Sequence, residues 1–271
     1  MRRLGRNLRQ RQSRQGKTIA QKVAALFSAG EQGVWYDPSD FSTMFQDAAG
    51  TTPVTAVGQP VGRILDKSGR GNHATQATAA SRPVLQQDGT GRYFLLFDGT
   101  DDWLQTASIN FTSTDKVTMW AGVRKLSDAS SGILVDLSED PAVISNTFSM
   151  LAPSQTGANS YRFNSRGNGV IQGAGTGVFA EAPNTSVLTG IGNISGDITQ
   201  LRRNAVVVET NISDQGTGNY GNYPLYIGKR SVISINCFNG RLYSLIVRGA
   251  QSTATQISNA ETYVNSKTGA Y

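Results

Sequence analysis

A rhythm of short strand-like runs constrains this chain more than any other feature. Alternating or β-branched segments recur at residues 93–97, 117–123, 132–137, 147–151, 160–164, 187–194, 205–209, 225–227, 232–237 and 240–248, separated by clusters of Gly, Asn, Asp and Ser. No helical segment intervenes to carry a parallel crossover, so the pattern predicts an antiparallel sandwich or barrel rather than a βαβ fold. No repeat of fixed period is present, which argues against a propeller or β-helix. The convincing helix of this region spans about 252–265. Composition agrees: 16% charged residues and 30 Gly in 271 residues are the texture of a turn-rich β-protein, long enough for one large core.

The residue inventory removes several chemistries. With one His (His73) and one Cys (Cys237), a protein-only zinc site of about four Cys and His ligands is out of reach. A Ser-His-Asp relay would have to run through His73. Cys237 has no intrachain partner for a disulfide. There is no apolar run of about 18 residues to span a membrane. The apolar stretch 23–27 after the basic start is too short for a signal peptide, so cytoplasmic synthesis is expected.

Charge is distributed unevenly beneath a formal net charge of +6. Arg2, Arg3, Arg6, Arg9, Arg11, Arg14, Lys17 and Lys22 give residues 1–30 eight positive charges and no acid, leaving 17 basic against 19 acidic side chains in the rest. Such an arm either stays solvated or docks on an acidic surface or a phosphate backbone. A nucleic-acid partner is not expected, because a DNA-binding domain carries basic residues across its folded face as well. Within the arm, Ile19, Val23, Ala24, Leu26 and Phe27 have helical spacing, with Thr18 as N-cap and Gly30 just past the end. Two readings of this helix stand open: it packs on its own domain, or it anchors the chain to other subunits. The preceding sixteen residues have little to bury and are expected to order only on a partner.

Five stretches then resemble one family in its own order. Asp66-Lys67-Ser68-Gly69-Arg70-Gly71-Asn72-His73-Ala74 is similar to the D-x-S-G-x-G-N-H-[GA] segment of laminin-G-like, concanavalin-A-like jelly rolls. Phe94-Leu95-Leu96-Phe97-Asp98-Gly99-Thr100-Asp101-Asp102-Trp103-Leu104 resembles that family's L-x-F-D-G-x-D-D-Y-[VL] strand and turn. Val117-Thr118-Met119-Trp120-Ala121-Gly122-Val123, Leu225-Tyr226-Ile227-Gly228 and Phe238-Asn239-Gly240-Arg241-Leu242-Tyr243-Ser244-Leu245-Ile246-Val247 resemble three further strands. The resemblance covers about residues 60–265 and implies an all-β, concanavalin-A-like jelly-roll sandwich. The chain then divides into a basic arm with a short anchoring helix at 1–30 and a jelly roll with a short C-terminal helix at 31–271.

Several motifs also have a mechanical reading. Asp98-Gly99, Ser68-Gly69 and Gly71-Asn72 supply turn residues that permit a positive φ, and Gly240 suits a strand passing close to another backbone. Upstream, Gly30-Glu31-Gln32-Gly33-Val34-Trp35-Tyr36-Asp37-Pro38-Ser39-Asp40, then Met44-Phe45-Gln46-Asp47 and Thr52-Pro53-Val54, resemble the lead-in before such jelly rolls in bacteriophage and prophage structural proteins. In that lead-in Trp35 and Tyr36 begin the first strand.

The resemblance departs at two points. Ser244 replaces the acidic residue common in the last strand, and no compact Asp and Asn set marks the calcium site of some members. Asp66, Asp101 and Asp102 could offer oxygen ligands, but two of them sit in a turn that favours Asp anyway; no metal or other cofactor is expected, calcium being the one candidate. Concanavalin-A-like glycosidases place two carboxylates close together, commonly as E-x-D-x-x-E. The five Glu, at 31, 139, 181, 209 and 261, do not form that pattern. Glu139-Asp140-Pro141 reads as a turn and His73 as a structural loop residue, so no enzyme is expected.

Sugar sites on jelly rolls combine exposed aromatic faces with Asn, Asp and Gln. Tyr220 and Tyr223, in the Gly/Asn-rich segment 218–224, and Trp103 are the candidates. The resemblance therefore implies a non-enzymatic virion protein, synthesised in the host cytoplasm: a tail or head fibre subunit whose jelly roll faces host-surface carbohydrate. The alternative is a capsid decoration or structural tail component without receptor binding. Anchoring would fall to Arg2, Arg3, Arg6, Arg9, Arg11, Arg14, Lys17, Lys22, Ile19, Val23 and Phe27. The partners would be a tail adaptor, portal or capsid protein, host polysaccharide and other copies of the chain, a trimer by analogy with phage fibres.

Overall fold

A computed structural model describes residues 16–139, 145–169, 171–175, 180–230 and 236–271. Within it the alternating runs form two antiparallel sheets. One contains, in spatial order, Val206–Asn211 (β15), Ile198–Arg203 (β14), Asn184–Asn193 (β13), Lys116–Lys125 (β8), Asn239–Arg248 (β17), Tyr93–Asp98 (β6) and Val84–Gln87 (β5), while Gly33–Tyr36 (β1) also pairs with β17. β1 pairs with the end of β17 and β6 with its start, so the two share one edge of that strand. The other sheet contains Gln172–Ala174 (β12), Arg162–Arg166 (β11), Thr147–Leu151 (β10), Ile133–Leu137 (β9), Asn222–Ile227 (β16), Leu104–Asn110 (β7), Ala74–Thr75 (β4), Arg63–Ile64 (β3) and Met44–Phe45 (β2).

The sheets face each other across one core, to which Met119, Ala121, Leu245 and Val247 contribute from one side and Leu104, Phe148, Phe163 and Leu225 from the other. Neighbours in space are remote in sequence, as where β17 lies between β8 and β6. This is the jelly-roll sandwich that the motifs imply.

The strand period places a second apolar stripe on the outside of the eight-stranded sheet. Trp35, Trp120, Val187 and Ile246 alternate with core residues along β1, β8, β13 and β17, and all four are buried. Two helices cover them. Ile19–Ala24 (α1) starts at a capping box in which Thr18 and Gln21 satisfy each other's backbone N–H groups, and a 3-10 turn, Ala25–Phe27, continues it. Ala254–Thr268 (α2) has the same device at Thr253 and Gln256. Close approach of α2 requires Gly122, where a Cβ would lie 2.5 Å from Thr268 Cγ2 and 2.8 Å from Val264 Cγ1.

Two buried carboxylates lock this third layer. Glu261 of α2 accepts from Arg202 Nε at 2.7 Å, Arg202 Nη2 at 3.2 Å and Thr189 Oγ1 at 2.9 Å. Asp37, just after β1, accepts from Tyr263 Oη at 2.6 Å and Lys267 Nζ at 3.0 Å. Burial alone would raise the Asp37 pKa; hydrogen bonds from Ser39 and Tyr263, together with Lys267, outweigh it and lower it.

One sequence expectation is corrected here. Val23 and Phe27 are not free to grip another subunit, because both are buried with Leu26 against Trp35, Trp120 and α2, and Ile19 packs beside them. Arg248 and Arg70 fix the following turn through the carbonyls of Leu26 and Phe27. The apolar stripe is thus satisfied by its own sheet. Lys17 and Lys22 are exposed, the latter donating to Asn259 at 3.2 Å; Arg2 to Arg14 lie outside the described residues.

Candidate functional site

Directly opposed residues on antiparallel strands share a face. One such line crosses six strands of the nine-stranded sheet: Gln105 on β7, Tyr226 on β16, Asp136 on β9, Ser149 on β10, Asn164 on β11 and Gly173 on β12. Their neighbours Leu104, Leu225, Leu137, Phe148 and Phe163 point into the core, so the line lies on the sheet's outer face. An outer face of this kind is ordinarily solvated. Here Asp136 is 2% exposed, Tyr226 3% and Asn164 8%, so a polar row is held largely away from water.

The hydrogen bonding of the row is incomplete. Ser138 Oγ donates to Asp136 Oδ2 at 2.6 Å, and Arg230 Nε lies 3.8 Å from the same oxygen. Burial raises the Asp136 pKa against the opposing pull of Ser138 and Arg230. Asn164 Nδ2 donates to Ser149 Oγ at 3.1 Å, while its Oδ1 is buried without a partner. Arg162 Nε and Arg230 Nε are likewise buried without a hydrogen-bond acceptor. Arg166, paired in register with Thr147, flanks the row; burial, and after it the charge of Arg230, lower the Arg166 pKa.

At the far end the Arg162 and Asn164 side chains lie directly over Gly173. A Cβ there would lie 2.2 Å from Arg162 Nε and 2.6 Å from Asn164 Oδ1. At the other end Trp103 and Tyr226 have ring centroids 6.0 Å apart, and the Lys229 ammonium sits 3.7 Å from the Trp103 centroid. The face therefore offers an aromatic end, an amide and hydroxyl centre and a guanidinium cluster. Its row holds one carboxylate, where glycoside hydrolysis uses two.

The candidate ligand residues divide. Trp103 lies at this face and keeps partial exposure, and Tyr223 is half-buried against the core. Tyr220 overturns the expectation of an exposed ring. It is 1% exposed, stacks edge-on to Phe148 at 5.3 Å, and shares a 2.7 Å hydrogen bond with Ser165; the residues around it turn the ring inward because Gly192 leaves room, a Cβ there lying 2.3 Å from its hydroxyl. Asp136, Asn164, Arg162, Arg230 and Tyr226 went unmarked as site residues. Alternation in Thr-Phe-Ser-Met was the available signal, which Leu-Val-Asp-Leu and Arg-Phe-Asn-Ser do not share.

The expected catalytic non-participants have structural partners. His73 Nδ1 accepts the Asp66 N–H at 3.0 Å. Glu31 pairs with Arg248 and Glu261 with Arg202; Glu139 Asp140 Pro141 falls partly outside the described residues. Asp66 does not group with Asp101 and Asp102; its carboxylate organises a loop, accepting from Trp35 N, Ser68 N, Ser68 Oγ and Asn72 N. The acidic group that does form is Asp98, Asp101 and Asp102. One oxygen of each is engaged within the chain: Asp98 Oδ1 accepts the Thr100 and Asp101 N–H groups, Asp102 Oδ2 accepts Asp98 N–H, and Asp101 Oδ2 accepts Ser81 Oγ.

No family model matches the chain, and no curated protein does. Solved structures do. A structure of botulinum neurotoxin type C, whose cell entry is dependent upon interaction with two ganglioside molecules, matches at 10% identity and TM-score 0.56, over 91% of this chain and 53% of that one. The binding domain of Paraclostridial Mosquitocidal Protein 1 matches at 14% identity and TM-score 0.55, over 75% and 49%. The binding domain of botulinum neurotoxin DC in complex with SialylT matches at 12% and 0.54, over 74% and 48%. The chain thus spans about half the length of these proteins, and what it shares with them at such identity is the β-sandwich architecture.

Proposed function

We propose that this is a non-enzymatic bacteriophage virion protein, a tail or head fibre subunit, which presents the outer face of its nine-stranded sheet to host-surface carbohydrate. The observation that carries the binding role is on this face: Asn164 Oδ1 within the row, and Arg162 Nε and Arg230 Nε beside it, are polar atoms without a hydrogen-bond partner. Sugars suit such a face, since their hydroxyls supply donors and acceptors and their C–H faces stack on rings such as Trp103. A fold shared with binding domains agrees with this role. The virion setting rests on the resemblance of residues 30–54 to phage lead-ins. In this reading attachment to a tail adaptor, portal or capsid protein falls to the basic residues Arg2 to Lys22, with the helix stripe reserved for the domain itself. The subunit is a homo-oligomer, a trimer by analogy, and needs no metal.

The test is binding of the labelled full-length chain to intact host cells with purified surface polysaccharide as competitor. Saturable, competed binding that is lost in Asn164→Ala and Trp103→Ala is expected. Absence of binding, even on a trimeric carrier, would leave a purely structural or decorating role.

A further inference from the structure

Most strand edges of the two sheets are covered or short. Gly58 N–H bonds Leu85 O, Leu85 N–H bonds Gln59 O and Val61 N–H bonds Pro83 O, so a loop covers β5; Lys67 N–H bonds Trp35 O beside β1. Pro53 bridges to Phe45 of β2, and β12 has only three residues. β15 differs. Its six residues pair with β14 on one side, and among the described residues no strand pairs with the other side. It contains no Lys or Pro to blunt that edge, and its one protection is a bulge at Val208. The N–H and C=O groups of an open edge are a template for a further strand.

The side chains at this edge are apolar and exposed. Among the described residues, three of the five exposed large hydrophobic side chains lie here within seven positions: Val206 at 63%, Val207 at 45% and Ile212 at 76%. A fourth, Tyr271, joins them. Burial and then the charge of Glu261 raise its pKa against the pull of Arg202, which puts its ring beside Arg202, the β14 residue opposite Val207. Apolar groups gathered at the surface mark an interaction site. Glu209, the one charged residue of β15, turns its carboxylate to the Gly175 N–H, so two identical strands side by side bring no like charges together. Arg203 stands at the turn end of the β14–β15 hairpin, and Asp197 and Asp214 stand at the other end. An antiparallel copy therefore sets the basic end of each hairpin beside the acidic end of the other.

From these observations we infer that a second copy of this chain adds its own β15 antiparallel to this one about a two-fold axis, so that one sheet runs through both copies. The contact lies away from the polar row and goes beyond the glycan reading; a three-fold assembly held by the arm would use other surfaces.

The experiment is sedimentation equilibrium of the full chain from low to high micromolar concentration, with amide hydrogen exchange of residues 206–211 over the same range. Expected are a species of twice the mass of the smallest one, growing with concentration, and slower exchange in β15 as it forms. Val207→Lys and Ile212→Lys, which bring lysines together at the two-fold, should each raise the dissociation constant about tenfold or more. Val57→Lys, at an exposed apolar residue away from this edge, should leave it unchanged. All three positions are exposed, so the melting temperatures should match wild type; Ile212 lies outside the strand and carries the test if Val207→Lys does not fold. A mass that never doubles would overturn the inference. A doubling that Ile212→Lys and a folded Val207→Lys both leave intact would do the same, as would β15 exchange that is independent of concentration.

Discussion

At the scale of single residues, Tyr220 and Asp102 show how burial redirects chemistry that a motif suggests. Tyr220 carries its hydroxyl into the core, where burial pushes its pKa far above the ordinary phenol range and Ser165 is its partner. Tyr220→Phe should therefore cost about 1 kcal/mol in a denaturant titration, the net worth of one such hydrogen bond, and leave glycan binding unchanged. Asp102 is different. Burial first, then the charge of Asp98, raise its carboxyl from 3.8 to about 6. The folded state thus holds this proton more tightly than the unfolded one, so the associated stability is complete below about pH 4 and is lost as pH rises through 6. Asp102→Asn should flatten that part of the stability-pH profile and raise stability at pH 7 by about 1–3 kcal/mol; a profile identical to wild type would refute the assignment.

Among the elements, the helices depend on the sheet they cover, since α1 has six residues and an isolated helix of that length is not stable in water. Its stability comes from burying Val23, Leu26 and Phe27. Phe27→Ala should lower unfolding free energy by about 3–5 kcal/mol, the usual loss for a buried aromatic. Glu261→Ala should cost about 3 kcal/mol by stranding Arg202, whereas an exposed change such as Lys17→Ala should be silent. Strand existence was legible wherever apolar residues alternate over five or more positions, as in β8, β13 and β17. β7 and β14 were not, because Leu-Gln-Thr-Ala-Ser-Ile-Asn and Ile-Thr-Gln-Leu-Arg-Arg carry few apolar side chains and owe their pairing to neighbours. The site was legible only in Trp103. Cross-strand register brings Asp136, Ser149 and Asn164 together, and no local pattern encodes register between strands remote in sequence.

Across the whole molecule, both sheets and the helix layer share buried side chains, so they should unfold together. Two of the three Trp residues, Trp35 and Trp120, lie beneath the helices and the third, Trp103, lies at the opposite outer face. Tryptophan fluorescence and far-UV circular dichroism should therefore trace coincident urea transitions; an earlier fluorescence change in a Trp103→Phe chain would instead show the helix layer melting by itself. The helices also settle a matter of direction. Residues 16–18 lead into α1, and Asn265 of α2 holds the Tyr271 carbonyl at 2.5 Å, so both described ends of the chain leave from the side of the eight-stranded sheet. The polar row looks out from the other side. The body is thus a two-sided plate: a tether at either described end, whatever it is made of, leaves the Trp103 to Gly173 surface facing away from it.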